Sequence, residues 1–271
     1  MIAAAAVAAA IALGGHPYET AVHVATAIGT RPAGSAAERR LHRYAQRRMR
    51  RAGLAVAMPR FPLPAGGSSR NVIGVRDTPA RCLDVVMAHG DSARAGRGAL
   101  DNASGVGVVL ALADVLRRTR TRCDVWLVVT GAEERIHTGS PDHLGSRALV
   151  RRVRRHGRAR DLRIALSLDE VGRGRRFTLR SSAPAPRRAV EGLVVRAGRR
   201  AGVPVVWSRD TTTGNSDHRE FQLAGLPAAV MQVWHGVHPC RHTACDVPGQ
   251  LRRGAFARAL RVAVELVRRP G

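Results

Sequence analysis

Met87-Ala-His-Gly-Asp-Ser-Ala-Arg-Ala-Gly-Arg-Gly-Ala-Leu-Asp-Asn-Ala-Ser-Gly105 lies between two apolar runs. The first, residues 83–88, is short and β-branched, which predicts a buried strand. The second, residues 103–116, is rich in Ala, Val and Leu over a helical length and predicts a helix. His89 and Asp91 therefore stand just past the C-terminal end of a strand, and Asp101 at the mouth of the next helix. In an open α/β sheet that edge is where ligands bind. A histidine and two carboxylates converging there would begin a metal site; a surface loop with a turn histidine is the competing reading.

The same punctuation recurs outward along the chain. Residues 124–130 form a second apolar run, ending at Gly131-Ala-Glu-Glu134, and residues 162–168 a third, ending at Asp169-Glu170. Upstream, helical periodicity covers 18–28 and 35–52, with Ser35 as N-cap and Gly53 past the end. Strands are expected over 54–63 and 71–75, around a Pro-Ala-Gly-Gly-Ser-Ser turn cluster. Downstream, helices are expected over 144–154 and 187–200, and strands over 177–179, 203–207 and 228–234, with a loop over 208–218. Residues 250–267 close the chain as an amphipathic helix. Alternating strands and helices imply an α/β domain with a mostly parallel sheet. The 271 residues suit one domain over 16–271, preceded by an apolar segment over 1–15.

Charge and composition narrow the partners. All of the 45 Lys+Arg residues are arginine, and against 20 acids they give a formal charge of +25. Such a charge can mark a polyanion partner. However, the arginines are scattered and aromatics make up 3% of the chain, so stacking platforms for single strands are scarce. The excess is read as compositional, with no specific nucleic-acid partner. No stretch reaches the length of apolar sequence a membrane span needs. Residues 2–13 resemble the apolar region of a secretory signal, without a preceding basic residue or a cleavage site. A secreted or extracytoplasmic protein is expected, with a cytoplasmic one the alternative.

Strand ends thus deliver His89 and Asp91, Glu133 and Glu134, Asp169 and, after the run at 228–234, His242, while a helix start adds Asp101. Singly each is ordinary: Glu-Glu pairs usually face water, and an Asp after a strand often caps a helix. Together they would be costly inside a fold unless paired or metal-bound. Histidine with carboxylates suits zinc, and a shared carboxylate permits two ions about 3.5–4 Å apart. Successive loop residues point apart, so one of two adjacent glutamates can bind metal while the other moves a proton.

Ordered blocks carry a further likeness: Ile28-Gly-Thr-Arg-Pro-Ala-Gly-Ser35, His89-Gly-Asp91, Ala99-Leu-Asp-Asn-Ala-Ser-Gly105, Thr130-Gly-Ala-Glu-Glu134, Gly145-Ser-Arg147, Ser167-Leu-Asp169, Ser216-Asp-His218 with Gly225-Leu-Pro227, and His242-Thr-Ala-Cys-Asp246. In this order they resemble the di-zinc exopeptidases of peptidase family M28. The resemblance implies a three-layer α/β/α sandwich with a mixed, mostly parallel sheet, and an aminopeptidase, monomeric by expectation, acting on peptides. It implies two zinc ions per chain: His89 and Asp169 on one, Glu134 and His242 on the other, Asp101 between them. Glu133 would be the general base, and Asp91 would hold His89 in its ligating tautomer. The Asp101–Asn102 peptide would be cis. A carboxypeptidase, a glutaminyl-cyclase-like enzyme and a non-catalytic binding module are the alternatives.

Two positions depart from the family pattern. Arg241 replaces a common tyrosine whose hydroxyl supports the tetrahedral intermediate; the arginine either supplies that donor or points away. Glu170 stands where an apolar residue is usual, and would either pair with an arginine or favour basic N-terminal residues. Asn215 would form another wall of the substrate pocket. Cys240 and Cys245 flank His242, where some secreted members have a disulfide. Cys82 and Cys123 open two strands read as parallel neighbours, which allows a second bond. Free buried thiols are the other reading for both pairs.

Overall fold

The computed structural model describes residues 17–136, 140–212, 214–233 and 238–269, so the apolar segment over 1–15 lies outside the described residues. In chain order the helices are α1 (Pro17–His23, continued by a wider turn over Val24–Ile28), α2 (Ala36–Arg51), α3 (Ser104–Leu116), α4 (Leu144–Arg155), α5 (Glu191–Arg200), α6 (His218–Leu223) and α7 (Arg253–Val267). The strands are β1 (Ala55–Ala57), β2 (Arg60–Pro62), β3 (Ser68–Arg70), β4 (Val72–Arg76), β5 (Leu83–His89), β6 (Asp124–Thr130), β7 (Leu162–Leu168), β8 (Phe177–Ser181), β9 (Val205–Arg209) and β10 (Ala228–Val233). Eight strands form one sheet in the order β1-β4-β6-β5-β7-β10-β8-β9, and β2 and β3 pair as a separate hairpin.

The four central strands, β6, β5, β7 and β10, run parallel, and antiparallel partners flank them at β4 and β8. Period-two alternation splits the central strands between two layers. Val86 and Ala88 of β5, with Val125, Leu127 and Val129 of β6, share one core layer with α1, α2, α3, α5 and α7. Val85 and Met87, with Trp126 and Val128, pack against α4 and α6. Strands covered on both faces read as continuous apolar runs, which is why β5, β6 and β7 stood out in the sequence. Residues 99–116 are apolar enough by composition to cross a membrane, but 94% of that window is buried inside the fold as core. Gly105 makes the close packing feasible, since a Cβ there would meet the Leu168 carbonyl oxygen at 2.2 Å.

Boundaries differ where proline intervenes. The strand expected over 54–63 is two strands in different sheets, because Pro59 has no N–H for a ladder and its carbonyl instead accepts from Asn71. Helix α5 starts at Glu191, whose carboxylate accepts the Arg187 N–H. The 208–218 loop ends one residue into α6, a helix too short for periodicity to reveal. Ser35 does cap α2, accepting the Glu38 N–H at 3.0 Å. Both cysteine pairs are disulfides: Cys82–Cys123 joins the starts of β5 and β6, and Cys240–Cys245 closes a short loop.

Candidate metal centre

Because β6, β5 and β7 are parallel neighbours, their C-terminal ends share one edge of the sheet. His89 ends β5, Glu133 and Glu134 follow β6, and Asp169 follows β7. Asp101 arrives from the bend before α3, across a cis Asp101–Asn102 peptide, and His242 from the disulfide-closed loop. The side chains converge. His89 Nε2 is 3.0 Å from Asp101 Oδ1 and 3.5 Å from Asp169 Oδ1. His242 Nε2 is 3.1 Å from Asp101 Oδ2 and 3.0 Å from Glu134 Oε1. The two oxygens of Asp101 thus face different histidines, one with Asp169 beside it and the other with Glu134.

Buried polar groups hold this arrangement from behind. The Asp246 carboxylate accepts the N–H groups of Leu100 and Asp101, at 2.7 and 3.2 Å, and fixes the Asp101 bend. Asn102 donates to the Leu168 carbonyl and accepts from the Gly105 N–H, tying the bend to β7 and α3. Arg31 is fully buried and donates to the carbonyls of Gly29, Gly90, Arg97 and Gly98, gathering the loop that follows His89. Burial pushes its guanidinium down to about 10, against the pull of Asp91 and Asp246. These roles are not readable from spacing, because the partners are backbone groups and most of them lie far away in sequence.

Asp91 behaves differently from the expectation. Its carboxylate accepts the N–H groups of Glu133 and Glu134, both at 3.0 Å, and so clamps the glutamate loop. It lies 3.7 Å from His89 Nδ1, beyond hydrogen-bond reach. The imidazole instead meets the Asp91 carbonyl oxygen at 3.2 Å, and that main-chain acceptor selects the tautomer leaving Nε2 toward the acids.

The charge balance of the cluster fits a cation. Asp101 Oδ1, Glu134 Oε1 and Asp169 Oδ1 are buried without an aligned hydrogen-bond donor. Burial and the adjacent Asp101 carboxylate push Glu134 up to about 7. Burial opposes a charge on His89, but Glu133, Asp101, Asp169 and Asp91 outweigh it and hold the imidazole well above its usual range. Oxygen acceptors in excess, aimed at two imidazoles, are a donor set for zinc. Two overlapping groups lie within coordination reach, His89 with Glu133 and Asp169, and His89 with Asp101 and Glu134.

Beside the cluster is a cavity of about 220 Å³ lined by Glu133, Glu134, Arg135, Asp142, His143, Asn215, Arg241 and His242. Arg241 Nε donates to Asp101 Oδ2 at 3.2 Å, so its guanidinium is drawn to the cluster. Glu170 is buried, in a left-handed backbone conformation (φ 50°), and forms no ion pair among the described residues. Burial and the carboxylates of Asp101 and Asp169 push it up to about 9. His143 was not anticipated: its side chain is buried, with Nε2 3.1 Å from Glu133 Oε1 and Nδ1 3.1 Å from Asp142 Oδ1.

Comparison with known proteins gives the family and the fold. A family model for peptidase family M28 matches residues 71–267. A zinc aminopeptidase from Bacillus subtilis superposes with TM-score 0.82 at 18% identity, covering 94% of this chain and 95% of that one. An aminopeptidase from Aneurinibacillus sp. strain AM-1 gives TM-score 0.82 at 16% identity, covering 94% of each chain. A Bacteroides thetaiotaomicron glutaminyl cyclase gives 0.79 at 19% identity, covering 93% of this chain and 96% of that one. Among curated protein sequences, none matches. A family match over most of the chain, on a mixed eight-stranded sheet with this cluster at its edge, makes the protein a metallopeptidase of family M28.

Proposed function

We propose that the protein is a zinc-dependent aminopeptidase that removes N-terminal residues from peptides. One observation carries the reading: Asp101 turns its two oxygens to two histidines, each accompanied by a further carboxylate. His89 and Asp169 would hold one zinc ion, Glu134 and His242 a second, and Asp101 both. Bound zinc supplies Lewis acidity toward the scissile carbonyl and makes water acidic enough to attack near neutral pH.

Glu133 is the proton carrier in this reading. It borders the cavity, with Oε2 4.0 Å from His89 Nε2, close to the cluster yet displaced from the contacts made by Glu134. It takes the proton of the attacking water and returns it to the leaving amine. Arg241 borders the same cavity and offers guanidinium donors where negative charge develops on the carbonyl oxygen. Asn215, from the loop before α6, lines the same cavity. The two disulfides fit an oxidising, extracytoplasmic setting.

The test is to strip metal with a chelator, restore zinc, and offer matched peptides with free and acetylated N-termini. Cleavage of the free peptides alone, dependent on zinc, is the expected result. Cleavage of acetylated peptides at the same rate would overturn the aminopeptidase reading. A glutaminyl-cyclase-like activity rests on the Bacteroides neighbour. In the same assay it would appear as cyclisation of an N-terminal glutamine without any peptide bond broken.

A further inference from the structure

Beyond the five residues of the metal cluster, the molecule contains a buried imidazole aimed at the proton carrier. His143 follows the glutamate loop and begins the turn into α4, with φ 51° in the left-handed region that a residue carrying a Cβ seldom adopts. Its main chain is fastened to the loop, since His143 N–H donates to the Glu133 carbonyl at 2.8 Å and Leu144 N–H to the Ala132 carbonyl at 2.8 Å. Its side chain returns to the same residue, with Nε2 3.1 Å from Glu133 Oε1. Backbone and side chain of one residue therefore grip Glu133 at both ends.

The other ring nitrogen is also engaged by a carboxylate. Nδ1 lies 3.1 Å from Asp142 Oδ1, and Asp142 is held in turn by Arg219 at 3.0 Å and Arg135 at 3.3 Å. Arg219 belongs to α6, so the chain Glu133–His143–Asp142–Arg219 crosses from the β6 loop to a helix on the outer layer. Arg219 Nη1 also lies 3.3 Å from Nδ1, so that nitrogen faces both a carboxylate and a guanidinium while Nε2 faces Glu133, and these contacts give the ring one rotational setting. Burial opposes the charge, but Glu133 and Asp142 outweigh it and push the imidazole up to about 10. The ring lines the cavity beside Arg241 and Asn215, so it stands at the substrate side and not within the apolar layer.

We propose that His143 is a positioning residue for Glu133: braced by Asp142, it holds Oε1 of the glutamate so that Oε2 faces the metal cluster and the substrate. The inference rests on the reading of Glu133 as the proton carrier. A carboxylate on three freely rotating bonds would reach the attacking water in only some of its settings, and a fixed donor on one oxygen removes the others. Deleting the donor lowers turnover while leaving the metal ligands, and hence metal affinity, in place.

The experiment uses the zinc-reconstituted full chain as wild type, His143→Ala, His143→Gln and Asp142→Asn. It measures kcat and KM on leucyl anilide and zinc affinity by competition with a chromophoric chelator. His143→Ala is expected to lose about 10²-fold in kcat, the lower end of what a positioned base contributes, with KM and zinc affinity within about threefold. His143→Gln, whose amide can still donate to Oε1, regains at least about tenfold, and Asp142→Asn loses about tenfold. Unchanged kcat in His143→Ala, a loss that instead follows zinc affinity or KM, or no recovery in His143→Gln, would overturn the proposal. Should His143→Ala not fold, Asp142→Asn decides, and wild-type kcat in that variant overturns it. A zinc-loaded wild type without activity on any peptide would defeat the peptidase reading itself, before the variants are compared.

Discussion

Two polar clusters are buried within a few residues of Asp91, and they solve the same electrostatic problem in opposite ways. On one side, Glu38 and His42 of α2 lie 3.9 Å apart, both essentially inaccessible. Burial and the Asp91 carboxylate push Glu38 up to about 8, and burial pushes His42 down to about 4. Near neutral pH the pair is uncharged, and Glu38 is satisfied by the Gly34 N–H and the Ser69 hydroxyl. On the other side, the carboxylates of Asp101, Glu134 and Asp169 crowd the imidazoles of His89 and His242, and three of their oxygens lack aligned donors. The first cluster gives its acid protein donors and leaves only the His42 ring nitrogens without partners; the second has oxygen acceptors left over, which a cation would satisfy. Burial of acids is common to both. The surplus of oxygens around imidazole nitrogens is what separates a metal centre from a core network.

The sharpest way to break the contrast is Glu133→Gln, which removes the proton carrier and no ligand. Turnover should fall about 10³- to 10⁴-fold with zinc content unchanged. Retained turnover would move the proton transfer elsewhere in the cavity. Arg241→Ala comes next, with an expected loss of about 10²-fold in kcat and a small change in KM. An unchanged kcat would take Arg241 out of the mechanism and leave it as a neighbour of Asp101.

The neutral pair makes its own prediction, in stability instead of rate. Between pH 6.5 and 4 the unfolded chain binds a proton at His42 that the native ring refuses, so stability falls as pH falls through that window. His42→Gln should flatten that acid slope, by up to about 3 kcal/mol across the window. Urea titrations at several pH values check this, and an identical slope in the variant would contradict a neutral buried His42. The smallest effect concerns Glu170. If it favours basic N-terminal residues, the arginyl-to-leucyl anilide ratio should drop a few-fold in Glu170→Leu, within the range a pocket contact commands. A ratio insensitive to the substitution would leave Glu170 as a buried neighbour of Asp169.

How far the chain could be read in advance follows from where its information is local. β5, β6 and β7 were legible to within a residue because strands covered on both faces are unbroken apolar runs. The placing of His89, Glu134 and Asp169 on one sheet edge was legible because each ends or follows such a run, whereas Asp101 comes from a helix start and His242 from a disulfide-closed loop. The braces were not legible. Arg31 works through carbonyls at Gly90, Arg97 and Gly98, and Asp246 through N–H groups at Leu100 and Asp101, partners that any side chain would present. The clamp that the Asp91 carboxylate adds on the Glu133–Glu134 backbone, while its carbonyl faces His89, has the same origin. His143 carried no periodicity, since a left-handed residue before a helix belongs to no repeating pattern.

The proposed chemistry depends on the second cluster holding a pair of ions. The most direct measurement is metal content: strip the purified chain with chelator, reconstitute with zinc, remove the excess, and count zinc per polypeptide by atomic emission. The paired geometry around Asp101 predicts two ions, falling when Asp101 is replaced by asparagine while the fold persists. A single ion, or none, in the wild-type chain would contradict it.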